Sequence, residues 1–260
     1  MLVHPTLDKI EQLRLFGMAK ALREQLQNQK AAALNFEERL GLLIDQEVTE
    51  RENKRLTTRL RVAKLRLSAS VEDVDFRQPR GLDKSLFMSL ASNQWIGEHH
   101  NLLIIGPTGV GKSYLACALS HKACRDGHVV LYQRLPRLLE DLALSHHDGR
   151  YKKLMKLLLK ADLLILDDFG LAPLTTEQQR DLLEIIEDRY DRRSTLITSQ
   201  LPVKHWHDIL ADPTLADAIM DRLVHNAYKL ELKGESMRKN GSSAESVGGF
   251  RNRQLAKCMV

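Results

Sequence analysis

The sequence has few cysteines and no long hydrophobic stretch. Its three cysteines, Cys117, Cys124 and Cys258, form no Cys-x-x-Cys pair. They are too few and too scattered for a disulfide framework or a zinc site. No apolar run approaches the roughly 18 to 20 residues that a membrane-spanning helix needs, and the first residues, MLVHPTLDKIEQLR, lack the apolar segment of a secretion signal. We therefore expect a cytoplasmic protein without a membrane segment.

Length and composition are those of an ordinary globular protein. The 260 residues can bury a full core, and they allow either one large domain or a domain with a smaller appendage. Hydrophobic residues make up 43% and charged residues 28% of the chain, which is typical of that class. The net charge of +5 favours a polyanionic partner such as nucleic acid.

The first quarter of the chain has the hydrophobic spacing of helices. Apolar residues recur three and four positions apart from residue 7 to about residue 67, which predicts helix throughout that range. Its last part has one acidic residue, Glu52, and seven cations: Arg51, Lys54, Arg55, Arg59, Arg61, Lys64 and Arg66. Leu56, Leu60 and Ala63 fall on one stripe, so the cations cover the rest of an amphipathic helix. Such a helix either neutralises DNA backbone phosphates without reading bases or is a solvated linker between domains.

From Asn101 onward, apolar strands alternate with helices, a pattern typical of a parallel sheet flanked by helices. We predict five strands, at residues 102–106, 128–134, 163–167, 195–199 and 227–232. The clearest helices cover residues 112–125, 136–160 and 176–192. The predicted fold class is therefore α/β. The Gly- and Ser-rich stretch at residues 241–260 predicts a disordered tail.

A glycine-rich sequence, GPTGVGKS, lies between the first of these strands and the next helix. It fits the phosphate-binding pattern G-x-x-x-x-G-K-[ST] in the context that the pattern requires. Glycines let backbone N–H groups curl around phosphates, and the positive end of the helix points at them. We expect Lys112 to neutralise the β- and γ-phosphates and the Ser113 hydroxyl to ligate Mg²⁺. The predicted nucleotide-binding segment comprises Gly106, Pro107, Thr108, Gly109, Val110, Gly111, Lys112, Ser113 and Tyr114.

The predicted strand LLILD ends in two adjacent carboxylates, Asp167 and Asp168. Like charges side by side are costly unless a cation or a reaction explains them. Asp167 is expected to hold Mg²⁺, usually through a water molecule, which relieves the repulsion. Asp168 is then expected to orient or deprotonate the attacking water; alternatively, it caps the turn FGLAP. The next strand ends in Ser199 and Gln200, either of which is placed to contact the γ-phosphate or the attacking water.

The distance between the loop and the acids indicates the kind of phosphate-loop protein. Between Lys112 and Asp167 there is room for a helix, a strand and a second helix, so the strand that carries Asp167 is not the next one in sequence. That arrangement is typical of additional-strand ATPases rather than of GTPases or small-molecule kinases. A small-molecule kinase is further disfavoured because nothing in the chain looks like an acceptor-substrate site.

Three other stretches raise weaker hypotheses. The segment HHDGRYKK is a second candidate DNA contact through Arg150, Lys152 and Lys153. Its neighbouring histidines, His146 and His147, are interpreted as exposed rather than as metal ligands, since no carboxylate or cysteine stands at ligand spacing. In the linker before the first strand, Phe76 and Arg77 are candidates to flank an adenine base.

Five stretches together resemble the IstB-type transposition helper ATPases: GPTGVGKSYLACAL, LLILDDFGLAPL, TLITSQLPVKHW, IMDRLVHNAYKLELKGESMRK and the basic helical N-terminus. That family belongs to the initiator and helicase-loader branch of the AAA+ proteins, with the DnaC-type replicative helicase loaders as near relatives. The resemblance extends from about residue 5 to residue 240. It implies a P-loop AAA+ ATPase domain at residues 101–240, entered through a linker at 71–100 and preceded by an all-helical domain at 1–70 that binds DNA or a partner.

The resemblance also implies a function. The family binds ATP and Mg²⁺, assembles as an ATP-dependent homo-oligomer on double-stranded DNA, and presents a target site to a partner transposase. The alternative function is that of a replicative helicase loader of the DnaC type. Residues 239–260 are too few for the helical lid of most AAA+ proteins, so we expect the ATPase domain to lack a full C-terminal lid.

Further site residues are implied by position in the family's motifs. Gln200 matches the sensor-1 residue, with Ser199 as a rival. Arg222 matches the arginine finger that reaches the γ-phosphate of a neighbouring subunit, and Arg238 matches the sensor-2 arginine. Many AAA+ proteins have Glu where this family and this chain have Asp168.

Overall fold

The computed structural model describes residues 5–28 and 33–237 of the chain. Contacts between Cα atoms divide the chain into two units, Met1–Lys64 and Leu65–Val260. Within the described ranges, the helices are too short or too polar to cross a membrane.

The described part of the first unit is helical, with α1 (Pro5–Gln12), α2 (Phe16–Gln27) and α3 (Phe36–Ala63). The prediction of helix throughout residues 7–67 is therefore wrong in three places. Between α2 and α3, Asn28 and Asn35 have extended backbone conformations. Arg14 has a positive φ of 60° between α1 and α2, which a helix does not allow. Helix α3 ends at Ala63 because Lys64 adopts the left-handed conformation with φ 51°.

Helices α2 and α3 approach closely at Gly17. A Cβ atom at this position would lie 2.6 Å from the carbonyl oxygen of Gln46, so the approach requires glycine. Buried Glu47 accepts hydrogen bonds from the backbone N–H groups of Gly17 (2.7 Å) and Met18 (3.2 Å) and from Arg51 Nε (2.7 Å). Burial alone raises the pKa of Glu47, but the bonds from Arg51, Met18 and Gly17 outweigh it and lower the pKa. The ionised carboxylate therefore ties the two helices together.

The second unit contains a five-stranded parallel sheet: β1 (Asn101–Ile105), β2 (Val130–Arg134), β3 (Leu163–Phe169), β4 (Ser194–Ser199) and β5 (Ala227–Glu231). The strand order is β2-β3-β4-β1-β5. The five predicted strands are confirmed, with ends displaced by no more than two residues. Because β4 lies between β1 and β3, the strand that carries Asp167 is not the neighbour of β1.

Helices surround the sheet: α4 (Lys84–Leu90), α5 (Gln94–Gly97), α6 (Lys112–Arg125), α7 (Leu135–Asp148), α8 (Tyr151–Lys160), α9 (Thr176–Arg189) and α10 (Pro213–Val224). The predicted single helix at residues 136–160 is wrong, since α7 and α8 are separate helices. Gly149 stops α7 with a φ of 74°, a conformation that glycine adopts without strain.

A buried arginine connects the helices to the sheet. Arg189 is 1% exposed and donates hydrogen bonds to the carbonyl oxygens of Leu158 and Ala161 (both 2.8 Å) and to Thr195 Oγ1 (3.2 Å). Burial, with a smaller contribution from nearby Arg193, lowers the pKa of Arg189 to about 9. The end of α8 is thereby fixed to the start of β4.

Because all five strands are parallel, their carboxyl ends lie along one edge of the sheet. Ligand sites in open α/β sheets form at that edge, where strand order departs from chain order. The loop after β1, the acids at the end of β3 and the polar end of β4 therefore meet in one place.

Candidate active site

The phosphate loop connects β1 to α6. Gly109 and Gly111 have φ values of 86° and 94°, which residues with a side chain rarely adopt. Helix α6 begins at Lys112, so its N-terminal N–H groups face the loop. Lys112 Nζ donates hydrogen bonds to the carbonyl oxygens of Gly106 (2.7 Å) and Pro107 (2.8 Å), and the side chain is buried against the loop. The backbone thus forms the concave, positively polarised cradle that a phosphate chain fits.

Asp167 lies at the end of β3 and is fully buried. Its carboxylate accepts hydrogen bonds from Ser113 Oγ at 2.8 and 3.1 Å, and from the hydroxyl groups of Thr198 and Tyr132. The structure therefore brings together Ser113 and Asp167, the two predicted magnesium ligands. A hydroxyl and a carboxylate are hard oxygen donors of the kind that Mg²⁺ takes, so these residues fit the ion.

Tyr132 and Thr198 were missed by the sequence reasoning. Tyr132 stands on β2 beside β3, and burial together with the bond to Asp167 raises the pKa of its phenol, which keeps it a neutral donor. Thr198 Oγ1 also accepts the backbone N–H of Asp168 at 3.1 Å. Both strands carry other polar residues as well, so Tyr132 and Thr198 could be selected only with knowledge of the strand order.

Asp168 stands at an irregularity of β3. The pairing of β3 with β4 shifts register between Leu166 and Phe169, and Asp168 has a φ of 66°. Bulges of this kind re-aim side chains beside active sites. The Asp168 carboxylate accepts hydrogen bonds from Arg134 Nε (3.0 Å) and pairs with Arg134 Nη2 (2.9 Å). Those bonds come from a guanidinium on β2, whereas the alternative of a turn cap requires bonds from the backbone of the following turn.

Arg66 does not lie on the basic helix to which the sequence pattern assigned it. Since α3 ends at Ala63, Arg66 follows the helix, and its Nη1 lies 3.5 Å from Asp167 Oδ2 and 3.8 Å from Asp168 Oδ2. A hydrogen bond with Tyr132, and then the charges of the two acids, raise the pKa of Arg66. The paired carboxylates are thus approached by two guanidinium groups, Arg66 and Arg134.

Ser199 and Gln200 occupy different surroundings at the end of β4. Ser199 is buried, its hydroxyl donates to the carbonyl oxygen of Phe169 (2.9 Å), and it accepts the N–H of Leu201 (3.1 Å). Gln200 Oε1 accepts a hydrogen bond from Thr108 Oγ1 in the phosphate loop (2.6 Å). Gln200 therefore faces the phosphate loop, and Ser199 faces the backbone of β3; the sensor role itself stays a prediction.

These residues border one open cleft of about 560 Å³. Its lining combines the phosphate loop and Tyr114 with residues from the segment before β1 and from the carboxyl ends of the strands and the segments that follow them: Arg66, Leu67, Asp73, Asp75, Arg80, Arg134, Asp168, Leu171, Gln200 and Met237. The volume and the mixed polar and apolar lining suit a nucleotide.

Phe76 and Arg77, the candidates to flank adenine, are not among the residues that line the cleft. The Phe76 ring packs edge-on against Phe87 with centroids 5.8 Å apart, because an apolar ring is stabilised by the core. The Arg77 side chain is 94% exposed and pairs with Asp75. From the same linker, Arg80 is the residue that reaches the phosphate loop.

Arg80 is buried against the phosphate loop. Its Nη2 donates to the carbonyl oxygen of Asp75 (3.0 Å) and its Nη1 lies 3.5 Å from the carbonyl oxygen of Val110. A Cβ atom on Gly111 would lie 2.7 Å from Arg80 Nη1. Burial lowers the pKa of Arg80. The linker thus supports the loop from its outer side.

Arg222 is remote from the cleft of its own chain. The side chain amide of Asn101, the first residue of β1, donates to the carbonyl oxygen of Arg222 at 3.0 Å. The phosphate loop follows the last residue of β1, five strand residues or about 15 Å away. The Arg222 guanidinium pairs with Glu187 and donates to the carbonyl oxygen of Ala218 at 3.1 Å. Arg238 lies outside the described residues, as do residues 239–260.

The other predicted DNA contacts lie on two surfaces. Helix α3 carries Arg51, Lys54, Arg55, Arg59 and Arg61, and Lys64 ends it; Arg51 pairs with Glu47, and Lys54 with Glu50. Arg150 precedes α8 and pairs with Asp148, while Lys152 and Lys153 are exposed in its first turn. Exposed cations on a helix suit contact with a phosphate backbone.

Comparison with known proteins finds similarity over nearly the whole chain. The model of the family described as IstB-like ATP binding protein matches residues 8–245. An insertion sequence ATP-binding protein of Sinorhizobium fredii is 58% identical over 240 residues, which cover 92% of this chain and 98% of that relative. The ATP-binding protein of insertion sequence IS21 from Pseudomonas aeruginosa is 31% identical, over 88% of this chain and 86% of the relative.

Among solved structures, the crystal structure of DnaI is similar with a TM-score of 0.57 and 24% identity. The match covers 65% of this chain and 92% of that one. At that identity the likeness shows the fold, which is the P-loop AAA+ sheet flanked by helices that the sequence predicted.

Proposed function

This chain belongs to the family of IstB-like ATP binding proteins, and on that premise we propose that it is an ATPase that assists a transposase. In this proposal it assembles as an oligomer on double-stranded target DNA when ATP is bound, and it promotes target selection and strand transfer during transposition of an insertion sequence. The observation that carries the proposal is the meeting of Lys112, Ser113 and Asp168 in one cleft, with buried Asp167 bonded to Ser113. The relatives of this chain are named insertion sequence ATP-binding proteins.

The phosphate loop, the two acids, Arg134 and Gln200 are each assigned a part in hydrolysis. The loop N–H groups and Lys112 bind the phosphates, and the turn from β1 into α6 fixes their position. Ser113 and Asp167 would hold Mg²⁺, which supplies neutralisation of phosphate charge when bound. Asp168 orients the attacking water, and Arg134 holds the Asp168 carboxylate in place through its two hydrogen-bonding contacts. Gln200 is next to the phosphate loop through Thr108.

The position of Arg222 supports self-assembly. Its guanidinium is at the opposite end of β1 from the phosphate loop, so it cannot serve the site of its own chain. At the surface of a neighbouring subunit it would supply a planar, permanently charged donor to a phosphate. We therefore propose a shared site completed by a second copy of the chain.

The DNA contact is proposed to come from the cations of α3. They would neutralise backbone phosphates without reading bases, which gives binding that tolerates many sequences and weakens with salt. The transposase partner is proposed from the insertion-sequence relatives.

Sedimentation with ATP, on duplex and on single-stranded DNA of equal length, tests this function. We expect assembly on the duplex with ATP, little assembly with ADP, and none for Lys112→Ala, which lacks the cation that binds the phosphates. Preference for the single strand would instead favour a helicase loader. No assembly on either DNA would contradict the proposal.

A further inference from the structure

Arg66 follows helix α3 by three positions and belongs to the second unit. Its guanidinium reaches the paired acids, with Nη1 at 3.5 Å from Asp167 Oδ2 and 3.8 Å from Asp168 Oδ2. Arg66 lines the same cleft as Lys112 and Ser113. One cation therefore contacts both acids within the cleft that holds the phosphate loop.

Arg66 and Arg134 differ in which of the two acids they contact. Asp168 pairs with Arg134, whereas the three hydroxyl groups around Asp167 are neutral. In the described part of the chain, the cation shown beside Asp167 is Arg66. Asp167 is fully buried, so a cation at this distance is strongly coupled to it.

The chemistry of the side chain suits a phosphate. A guanidinium has five N–H donors in a planar fork, more than its contacts with Tyr132 and the two acids use. The fork matches phosphate oxygens, and its charge is retained at every physiological pH. The Arg66 side chain is 43% exposed, and it lines the cleft with this exposed part.

We propose that Arg66 is a residue of the ATPase site, which acts within its own subunit on the terminal phosphate of bound nucleoside triphosphate. The proposal rests on the proposed function and deepens it. It replaces the prediction that Arg66 binds DNA, and it gives the site two arginines from different subunits, Arg66 of the same chain and Arg222 of a neighbour. Arg66 stabilises negative charge on the phosphate and offsets the repulsion between the two acids.

Binding measurements separate this role from a structural one. For Arg66→Gln we expect fluorescent ADP to bind within about threefold of wild type, while ADP–aluminium fluoride, which mimics the transferred phosphate, binds at least about 100-fold more weakly. The kcat for ATP is expected to fall by a similar factor with little change in KM. Arg66→Lys should recover part of both losses, since it keeps the charge but not the planar fork.

Arg180→Gln is the matched control, because Arg180 is an exposed arginine of α9 that does not line the cleft. It should leave all these values unchanged. Thermal unfolding shows whether Arg66→Gln is folded; if it is not, the Arg66→Lys variant carries the same comparison of ADP with ADP–aluminium fluoride.

Mixing variants tests which subunit supplies each arginine. Arg66→Gln and Arg222→Ala are each expected to be inactive alone. In mixed oligomers, an Arg222→Ala subunit keeps its own Arg66 and receives Arg222 from an Arg66→Gln neighbour, so activity should return. No recovery would mean that both arginines act from the same side, which contradicts the proposal.

The DNA-binding alternative has a different outcome. If Arg66 binds a DNA phosphate, Arg66→Gln should reduce the slope of log DNA affinity against log salt concentration by about 1 and leave the kcat for ATP unchanged. That result would overturn the proposal. If the wild-type chain binds ATP without hydrolysing it, the proposed function fails separately, and Arg66 is then judged by the ratio of ATP to ADP affinity, which Arg66→Gln should lower at least about tenfold.

Discussion

Replacement of Asp168 by Asn separates the catalytic use of this carboxylate from its structural use. The substitution removes the charge and keeps the size of the side chain. Asn also tolerates the φ of 66° that residue 168 adopts, so the bulge in β3 should persist. The variant therefore tests the carboxylate without changing the backbone that presents it.

The expected magnitudes differ for folding and for hydrolysis. Asp168 and its partner Arg134 are 19% and 47% exposed, and an ion pair at such a surface contributes about 0 to 1 kcal/mol. The free energy of unfolding should thus change by less than about 1 kcal/mol. A group that orients or deprotonates the attacking water contributes about 10²- to 10⁴-fold to the rate, equivalent to about 3 to 5 kcal/mol of activation free energy.

Three measurements check the argument: phosphate release at saturating ATP, the affinity for a fluorescent ATP analogue, and the free energy of unfolding. We expect turnover to fall at least about 100-fold, with the affinity and stability almost unchanged. Asp191→Asn is the matched control, since Asp191 is an exposed aspartate that also has a positive φ, 53°, and lies outside the cleft. Turnover of Asp168→Asn within threefold of wild type would refute the reasoning and leave Asp168 as a structural partner of Arg134.

Three further predictions concern other surfaces. Arg222→Ala should keep ATP affinity and lose most turnover in oligomers, because each subunit binds ATP with its own residues but takes the Arg222 guanidinium from its neighbour. Turnover equal to that of wild type in a phosphate-release assay would reject Arg222 as the arginine finger. Replacing Arg55 and Arg61 on α3 by Gln should weaken duplex binding similarly for different sequences and lower the salt slope by about 2; a loss confined to one sequence in fluorescence anisotropy would contradict backbone contact. Arg189→Ala should lower the free energy of unfolding by at least about 3 kcal/mol, since it leaves buried carbonyl oxygens without donors; a change below 1 kcal/mol in urea denaturation would show that water replaces them.

Helix boundaries were predicted less well than strands. The strands are short apolar runs between polar segments, so their positions follow from local composition. The break between α7 and α8 depends on Gly149, and the end of α3 depends on Lys64 in the left-handed conformation. Lysine is not a usual helix terminator, which is why the basic pattern led to a prediction of helix beyond Ala63.

The choice between Ser199 and Gln200 shows a second limit of prediction from sequence. Both are polar and both end the same strand, so their sequence positions give no reason to prefer one. The structure directs the Ser199 hydroxyl to the backbone of β3 and the Gln200 amide to Thr108. The direction of a side chain at the end of a strand depends on the neighbouring strand. Ser199 and its partner Phe169 on β3 are 30 residues apart in the chain.

The sequence by itself determined the phosphate loop, the two acids near the end of β3 and the alternation of strands and helices, because glycine conformation, helix polarity and apolar periodicity are local properties. Only the tertiary structure decided what surrounds the acids. Tyr132 and Thr198 contact Asp167 because β2 and β4 flank β3, and Arg134 meets Asp168 across the same pairing. Arg66 looks like one more cation of a basic helix until the helix ends before it and the chain brings its guanidinium to the acids. Contacts between residues about 100 positions apart are set by strand order and chain path, which no local pattern encodes.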